Sequence, residues 1–359
     1  GVDETAIKFS QNGHYLACLR NQDSQIRPVL YDVETGKRRD LQLPAGVAVG
    51  SDFVHDDTGL ITLFTTPTRR AELVLYDLES DRYATLLPAE YGSIDPNVFV
   101  ECEYVWYRSF DGLQIPALLY KPREIPKGEK LPAIVIVHGG PTAQWFRGFD
   151  PYGQFLVDRG YVVLEPNIRG STGYGVKFRD MNRLDWGGGD LEDVAHGAEY
   201  LKSLPYVDPK RLAVCGGSFG GYMTFMQVVK KPNLWKAASA WVGVTHLKKL
   251  YDASMEHFKY YFRMQMGDPE KNAQLWEERS ALNYAHQLKA KLQIVHGVND
   301  PRCPVEQSRI FRDKLLKLGY QEGKDFEYVE FDDIGHGSQD IEHKIRWYKS
   351  LADFMARVL

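Results

Sequence analysis

At 359 residues the chain has the length of about two domains, and its 43% hydrophobic and 26% charged residues place it among ordinary folded proteins. A net charge of −4 gives no electrostatic footprint for nucleic acid. No run of 18 or more apolar residues occurs, so no membrane-spanning helix is expected.

Residues 1–95 read as short strands between turns, in two copies. The first runs from Ile7-Lys8-Phe9 through Asn12-Gly13 and His14–Leu19 to Val29-Leu30-Tyr31-Asp32. The second runs from Phe53–Gly59 through Leu60–Phe64 to Val74-Leu75-Tyr76-Asp77. The two Leu-Tyr-Asp segments lie 45 positions apart. A period of about 40–50 residues with four short strands per unit is the mark of β-propeller blades, with a small β-sandwich cap as the alternative. Closure takes at least about four blades, and the chain opens at Gly1 rather than Met. The sequence is therefore expected to be the C-terminal part of a longer protein, or a chain without its upstream blades.

From residue 96 strand-like and helix-like runs alternate, which argues for βαβ units and a mostly parallel sheet. Expected strands cover residues 101–108, 115–120, 133–137, 161–165, 212–215, 237–242, 292–295 and 326–331. Expected helices cover 154–159, 189–204, 220–230, 304–318 and 341–358. Opening antiparallel strands followed by a parallel core is the order of an α/β-hydrolase. The fold class is thus α/β, with an α/β-hydrolase catalytic domain over 96–359 preceded by two propeller blades over 1–95.

Gly216-Gly217-Ser218-Phe219-Gly220 is a G-x-S-x-G sequence with an apolar strand before it and a helical pattern after it. In that context Ser218 is a nucleophile on a strained strand-to-helix turn, where small neighbours avoid clashes. Its base and orienting carboxylate should follow in the order Ser, acid, His. Asp300 lies just beyond the apolar run Leu292–Val295, where α/β sheets place their sites; Asp268, Asp332 and Asp333 compete less well. His336, between Gly335 and Gly337 after the last strand, is the expected base. His246, His257 and His286 fall in helical or mixed segments, and His296 reads as a structural residue at a strand end. The oxyanion hole should combine the N–H of Phe219 with one from His138-Gly139-Gly140-Pro141, Gly140 first and Gly139 next; the plain alternative for that segment is a turn.

Together with Asn167-Ile168-Arg169-Gly170-Ser171-Thr172-Gly173-Tyr174-Gly175 and Asp185–Asp190, these segments resemble the prolyl oligopeptidase family of serine peptidases, in its acylaminoacyl-peptidase-like branch. The resemblance implies Ser218 as nucleophile, Asp300 as orienter and His336 as base and acid. Arg302 matches an arginine that binds a substrate carbonyl in some relatives, with a rim salt bridge as the alternative. Tyr222, Trp241 and Val242 could line the pocket for the P1 side chain, or simply pack in the core. The expected reaction is amide hydrolysis of short peptides or acylated substrates, with ester hydrolysis the alternative. Two blades would leave the family's size filter incomplete. No metal or organic cofactor is implied, nor a nucleic-acid or membrane partner. Open propeller edges give a reason for self-association into a homo-oligomer. Four scattered cysteines fit reduced thiols and a cytoplasmic location, while the start at Gly1 leaves secretion open.

Overall fold

The computed structural model describes residues 2–54 and 56–359. Gly1, and His55 within the Phe53–Gly59 repeat segment, lie outside the described residues.

The repeats fold as two four-stranded antiparallel units. The first contains β1 (Asp3–Phe9), β2 (Tyr15–Gln22), β3 (Gln25–Asp32) and β4 (Arg38–Asp40). The second contains β5 (Val47–Val54), β6 (Gly59–Thr66), β7 (Arg69–Asp77) and β8 (Arg82–Leu87). The Leu-Tyr-Asp periodicity has a local cause. Asp32 and Asp77 each end a third strand and accept hydrogen bonds from the turn that follows, Asp32 from Thr35 N–H (2.7 Å) and Asp77 from Ser80 N–H (2.7 Å). Alternation puts Ala17 and Leu30 of one unit against Ala48, Leu60, Phe64, Val74 and Tyr76 of the other, so the two propeller-like blades bury one shared core. Their ladders meet at a single parallel pair, Ile26 with Val47, and do not close into a ring.

The second sheet contains β9 (Glu103–Arg108), β10 (Gln114–Tyr120), β11 (Leu131–Val137), β12 (Val162–Pro166), β13 (Val207–Gly217), β14 (Ala237–Trp241), β15 (Lys291–Gly297) and β16 (Phe326–Phe331). Its order is β9-β10-β12-β11-β13-β14-β15-β16, with β10 antiparallel to both neighbours and the rest parallel, as in an α/β-hydrolase. The helices are α1 (Pro151–Asp158), α2 (Val176–Arg179), α3 (Gly189–Ser203), α4 (Phe219–Lys230), α5 (Leu247–Ala253), α6 (Glu256–Met266), α7 (Ala273–Glu278), α8 (Glu306–Lys317) and α9 (Ile341–Val358). Helices cover both faces, so Ala133–Val137 is apolar on every residue rather than on alternate ones. One face packs on α3, α4 and α8, the other on α1 and α9.

Every expected strand and helix of this half is present, with ends shifted by a few residues. The largest difference is β13, which starts at Val207 because Val207 pairs with Leu131 ahead of an irregularity in the ladder. Residues 247–278, where the sequence reading set no helix bounds and placed His257 only in a helical or mixed segment, form α5, α6 and α7. No helix among the described residues is long and apolar enough to cross a membrane.

The blades are tied to the second sheet through its loops. Arg147 N–H donates to the Ser24 carbonyl (2.7 Å), Asn167 Nδ2 to Ser24 Oγ (2.9 Å) and Gly173 N–H to Asp3 Oδ2 (2.8 Å).

Candidate active site

Ser218 occupies the hinge between β13 and α4 with φ +59° and ψ −117°, a conformation that costs a non-glycine residue about 1–3 kcal/mol. The surroundings leave no alternative. A β-carbon on Gly216 would lie 2.5 Å from the Val137 carbonyl oxygen, and one on Gly221 2.5 Å from that of Trp241. Gly220 sits against the same Val137 carbonyl. The turn is thus wedged between the ends of β11 and β14, and the Trp241 carbonyl also takes the Ser218 N–H at 3.0 Å. Val242 next to it has φ +41°, unusual for a β-branched residue, and donates its N–H to Val295. Phe219 begins α4, so its N–H belongs to the group that a helix leaves without an internal acceptor, at the positive end of the helix dipole.

Asp300 and His336 come from different loops and meet: His336 Nδ1 lies 2.7 Å from Asp300 Oδ2. The other carboxylate oxygen accepts the N–H groups of Arg302 (2.8 Å) and Cys303 (2.9 Å). Burial raises the Asp300 pKa, but His336 and these two N–H donors outweigh it and hold the carboxyl below its ordinary value. His296 supports the acid loop from beneath. It is fully buried, its Nε2 faces the Cys303 carbonyl at 2.7 Å, and its Nδ1 faces Ser308 Oγ at 2.6 Å. Burial lowers its pKa, so it is held neutral.

Cys303 was not singled out in the sequence, although it touches both halves of the site. Its N–H holds Asp300, and its thiol interacts with the Ser218 hydroxyl. Burial, with Asp300 nearby, pushes that thiol up to about 12, so it is an un-ionised neighbour of the serine. Ser218, Cys303, Asp300 and His336 form one chain of contacts. Among the described residues no hydrogen bond joins Ser218 Oγ to His336, and catalytic hydrogen bonds often tighten only on substrate binding.

The segment after β11 ends beside the serine: a β-carbon on Gly139 would stand 3.6 Å from that of Ser218. Gly140 has φ +120°, where a side chain would be strained. His138, which the sequence reading named only as part of the oxyanion segment, is buried behind it. Burial lowers its pKa to about 4, so the ring is neutral. Its Nδ1–H donates to the Gly139 carbonyl (2.7 Å), and its Nε2 lies 2.8 Å from Ser171 Oγ, whose own proton goes to the Ile168 carbonyl at 2.6 Å. Fixing that carbonyl fixes the plane of the peptide it shares with the Gly140 N–H.

The remaining sequence candidates separate. Tyr222 is fully buried, its ring 5.4 Å from Phe219 and its hydroxyl donating to the Arg279 carbonyl. The Trp241 ring packs on Tyr152 and Trp347, on the face of the sheet that α1 and α9 cover. Arg302 is exposed, and among the described residues its guanidinium has no ion pair. Phe219 instead adjoins an aromatic group supplied by Trp186 (5.2 Å), with Tyr261 and Phe262 of α6 against that indole.

The model of the prolyl oligopeptidase family matches residues 147–359. The chain belongs to the prolyl oligopeptidase family. It is 32% identical over 307 residues to the uncharacterized peptidase YuxL of Bacillus subtilis, a match covering 82% of this chain and 44% of that protein. It is 32% identical over 234 residues to dipeptidyl aminopeptidase BIII of Pseudoxanthomonas mexicana, covering 64% and 33%. Among solved structures, a puromycin-hydrolyzing peptidase of Mycobacterium tuberculosis superposes with a TM-score of 0.89 at 27% identity, covering 98% of this chain and 53% of that one. The acylaminoacyl peptidase of Pyrococcus horikoshii gives 0.86 at 28% identity, covering 99% and 56%. The chain therefore spans less than half of these curated relatives and just over half of the solved chains.

Proposed function

We propose that the chain carries a serine peptidase site that hydrolyses amide bonds of short peptides or of acylated and aminoacyl substrates, with residues 96–359 as the catalytic domain and 1–95 as propeller blades. The observation that carries this reading is the hydrogen bond of 2.7 Å between His336 and Asp300, made within the contact chain that reaches Ser218 on its strained turn.

In this mechanism His336 Nε2 takes the Ser218 proton as Oγ attacks the substrate carbonyl, and Asp300 holds the ring in the tautomer that leaves Nε2 free to accept it. The tetrahedral oxyanion sits between the N–H groups of Phe219 and Gly140, with Gly139 as the alternative donor. Each such donor is worth about 2.7–4 kcal/mol of barrier. The imidazolium then protonates the leaving amine, and a water activated by His336 releases the acyl group. The Phe219–Trp186–Tyr261–Phe262 group suits an apolar P1 side chain, and Arg302 is free to bind a substrate carbonyl.

The same geometry serves ester hydrolysis, the competing reading. Turnover of an aminoacyl p-nitroanilide should be comparable to or faster than that of a short-chain p-nitrophenyl ester, and Ser218→Ala should abolish both. Ester turnover alone would sink the peptidase reading. Failure of Ser218 to react with a fluorophosphonate probe would sink the enzyme reading altogether.

A further inference from the structure

We propose that His343 is a positioning residue that clasps the loop carrying His336 and so holds the imidazole of the base in register with Asp300. The inference rests on the reading of His336 as the base and concerns a residue seven positions further along the chain.

His336 lies on the segment between the end of β16 and the start of α9. The half before it is tied to the acid loop. Val298 N–H donates to Phe331 (2.9 Å), Asn299 N–H to the Ile334 carbonyl (3.1 Å) and Asn299 Nδ2 to the Asp332 carbonyl (2.7 Å). The half after it begins with Gly337, which is exposed and has open space around its Cα. The next anchor is Ser338. Its Oγ accepts the Asp340 N–H at 3.0 Å, so its own proton is directed to His343 Nδ1, 2.8 Å away. His343 Nε2 is then the protonated nitrogen, and it faces Asp333 Oδ2 at 3.3 Å. Asp333 also holds Arg346 at 2.7 Å, and Asp340 caps α9 through the Glu342 N–H at 2.8 Å.

One imidazole on the first turn of α9 thus bridges a residue three before His336 to a residue two after it. The arrangement is a geometric clasp. Asp300 grips the base through one ring nitrogen only, which by itself lets the ring pivot. Misplacing a reacting group by about 1 Å can cost about 10²-fold in rate.

The test compares aminoacyl p-nitroanilide hydrolysis and the rate of fluorophosphonate labelling in six proteins: the unaltered chain, His343→Ala, His343→Gln, Ser338→Ala, His336→Ala, and Lys349→Ala as an exposed control on the same helix. His343→Ala should lower kcat about 10- to 100-fold with KM within about twofold, and slow labelling by the same factor. His343→Gln, whose amide offers one acceptor and one donor, should recover most of kcat. The clasp is overturned if His343→Ala keeps kcat within about twofold, or if His343→Gln is as impaired as His343→Ala. Should His343→Ala fail to fold, Ser338→Ala cuts one arm alone, and a loss of about 3- to 10-fold is expected; an unchanged kcat there overturns the clasp. His336→Ala separates the two readings. If it stays active, the base has been misassigned. If it is inactive while His343→Ala is fully active, only the clasp fails.

Discussion

Asp300→Asn is the sharpest test of the triad, because the structure dictates how the new amide must sit. One carboxylate oxygen accepts two backbone N–H groups, from Arg302 and Cys303, and the other meets His336 Nδ1. Turning the amide nitrogen toward two donors would leave three N–H groups facing one another, so the amide oxygen must keep the backbone side. The NH₂ group then points at His336 and can only donate. Nδ1 becomes the acceptor, the ring proton moves to Nε2, and the nitrogen that should accept the Ser218 proton is blocked. The fold should survive, since both backbone donors keep their acceptor. The expected fall in kcat is about 10⁴-fold, equivalent to about 5.4 kcal/mol of barrier. It should be read from p-nitroanilide turnover with KM within a few-fold of the unaltered chain, alongside a melting curve. A folded variant with kcat within about tenfold would refute the assignment of Asp300 as the residue that sets the tautomer.

Gly220→Ala presses a β-carbon onto the Val137 carbonyl, where only backbone could yield; it should cost about 1–3 kcal/mol in urea denaturation and abolish fluorophosphonate labelling, while Gly337→Ala, into open space, should stay within about 0.5 kcal/mol. Arg169→Ala removes the guanidinium that pairs with the fully buried Asp193 carboxylate at 2.8 Å; denaturation should report a loss of about 3–5 kcal/mol, and a loss below about 1 kcal/mol would show that Asp193 finds another partner. Asp190 is pushed up to about 8, first by burial and then by Asp185 and Asp193. Between its unfolded value of about 3.9 and that folded value the native state binds the extra proton, so stability falls as pH rises. Asp190→Asn removes this slope, and its melting temperature relative to the unaltered chain should climb from about pH 5 to about pH 8; an equal difference at both ends would contradict the titration.

The nucleophile turn, the parallel sheet and the two blades were legible because each rests on a local rule. Glycines flank Ser218 because two strand ends crowd it, β11 is apolar throughout because both its faces are covered, and the blades repeat because each closes on the same Asp-capped turn. The meeting of Asp300 with His336 was expected from chain order. Contacts that depend on which loops meet in space were not. Nothing near His138 in sequence announces Ser171, and nothing near Cys303 announces Ser218. The bounds of the helices within residues 247–278 were not legible, for a different reason. The exposed face of α6 carries Tyr260 and Met264, with Met255 exposed at its N-cap, and these blur the contrast between apolar and polar positions that a helix reading needs.

Asn167–Gly175, one of the segments that carry the family resemblance, is tied into the fold along most of its length. Asn167 holds Ser24 of the first blade and the backbone of Trp145. Arg169 joins Asp111 to Asp193, and Ser171 meets His138 behind the Gly139–Gly140 peptide. Gly173 and Tyr174 return to the first blade at Asp3 and Ser24. A serine on a tight turn needs only small neighbours, a demand that many loops meet. A loop that must engage a blade edge, a buried ion pair and the buried His138 within nine residues meets several independent geometric conditions at once, and few sequences satisfy them all. The same connections join the blades to the segment beside Ser218: Ser24 and Asp3 hold the loop whose Ser171 meets the His138 ring behind the Gly139–Gly140 peptide.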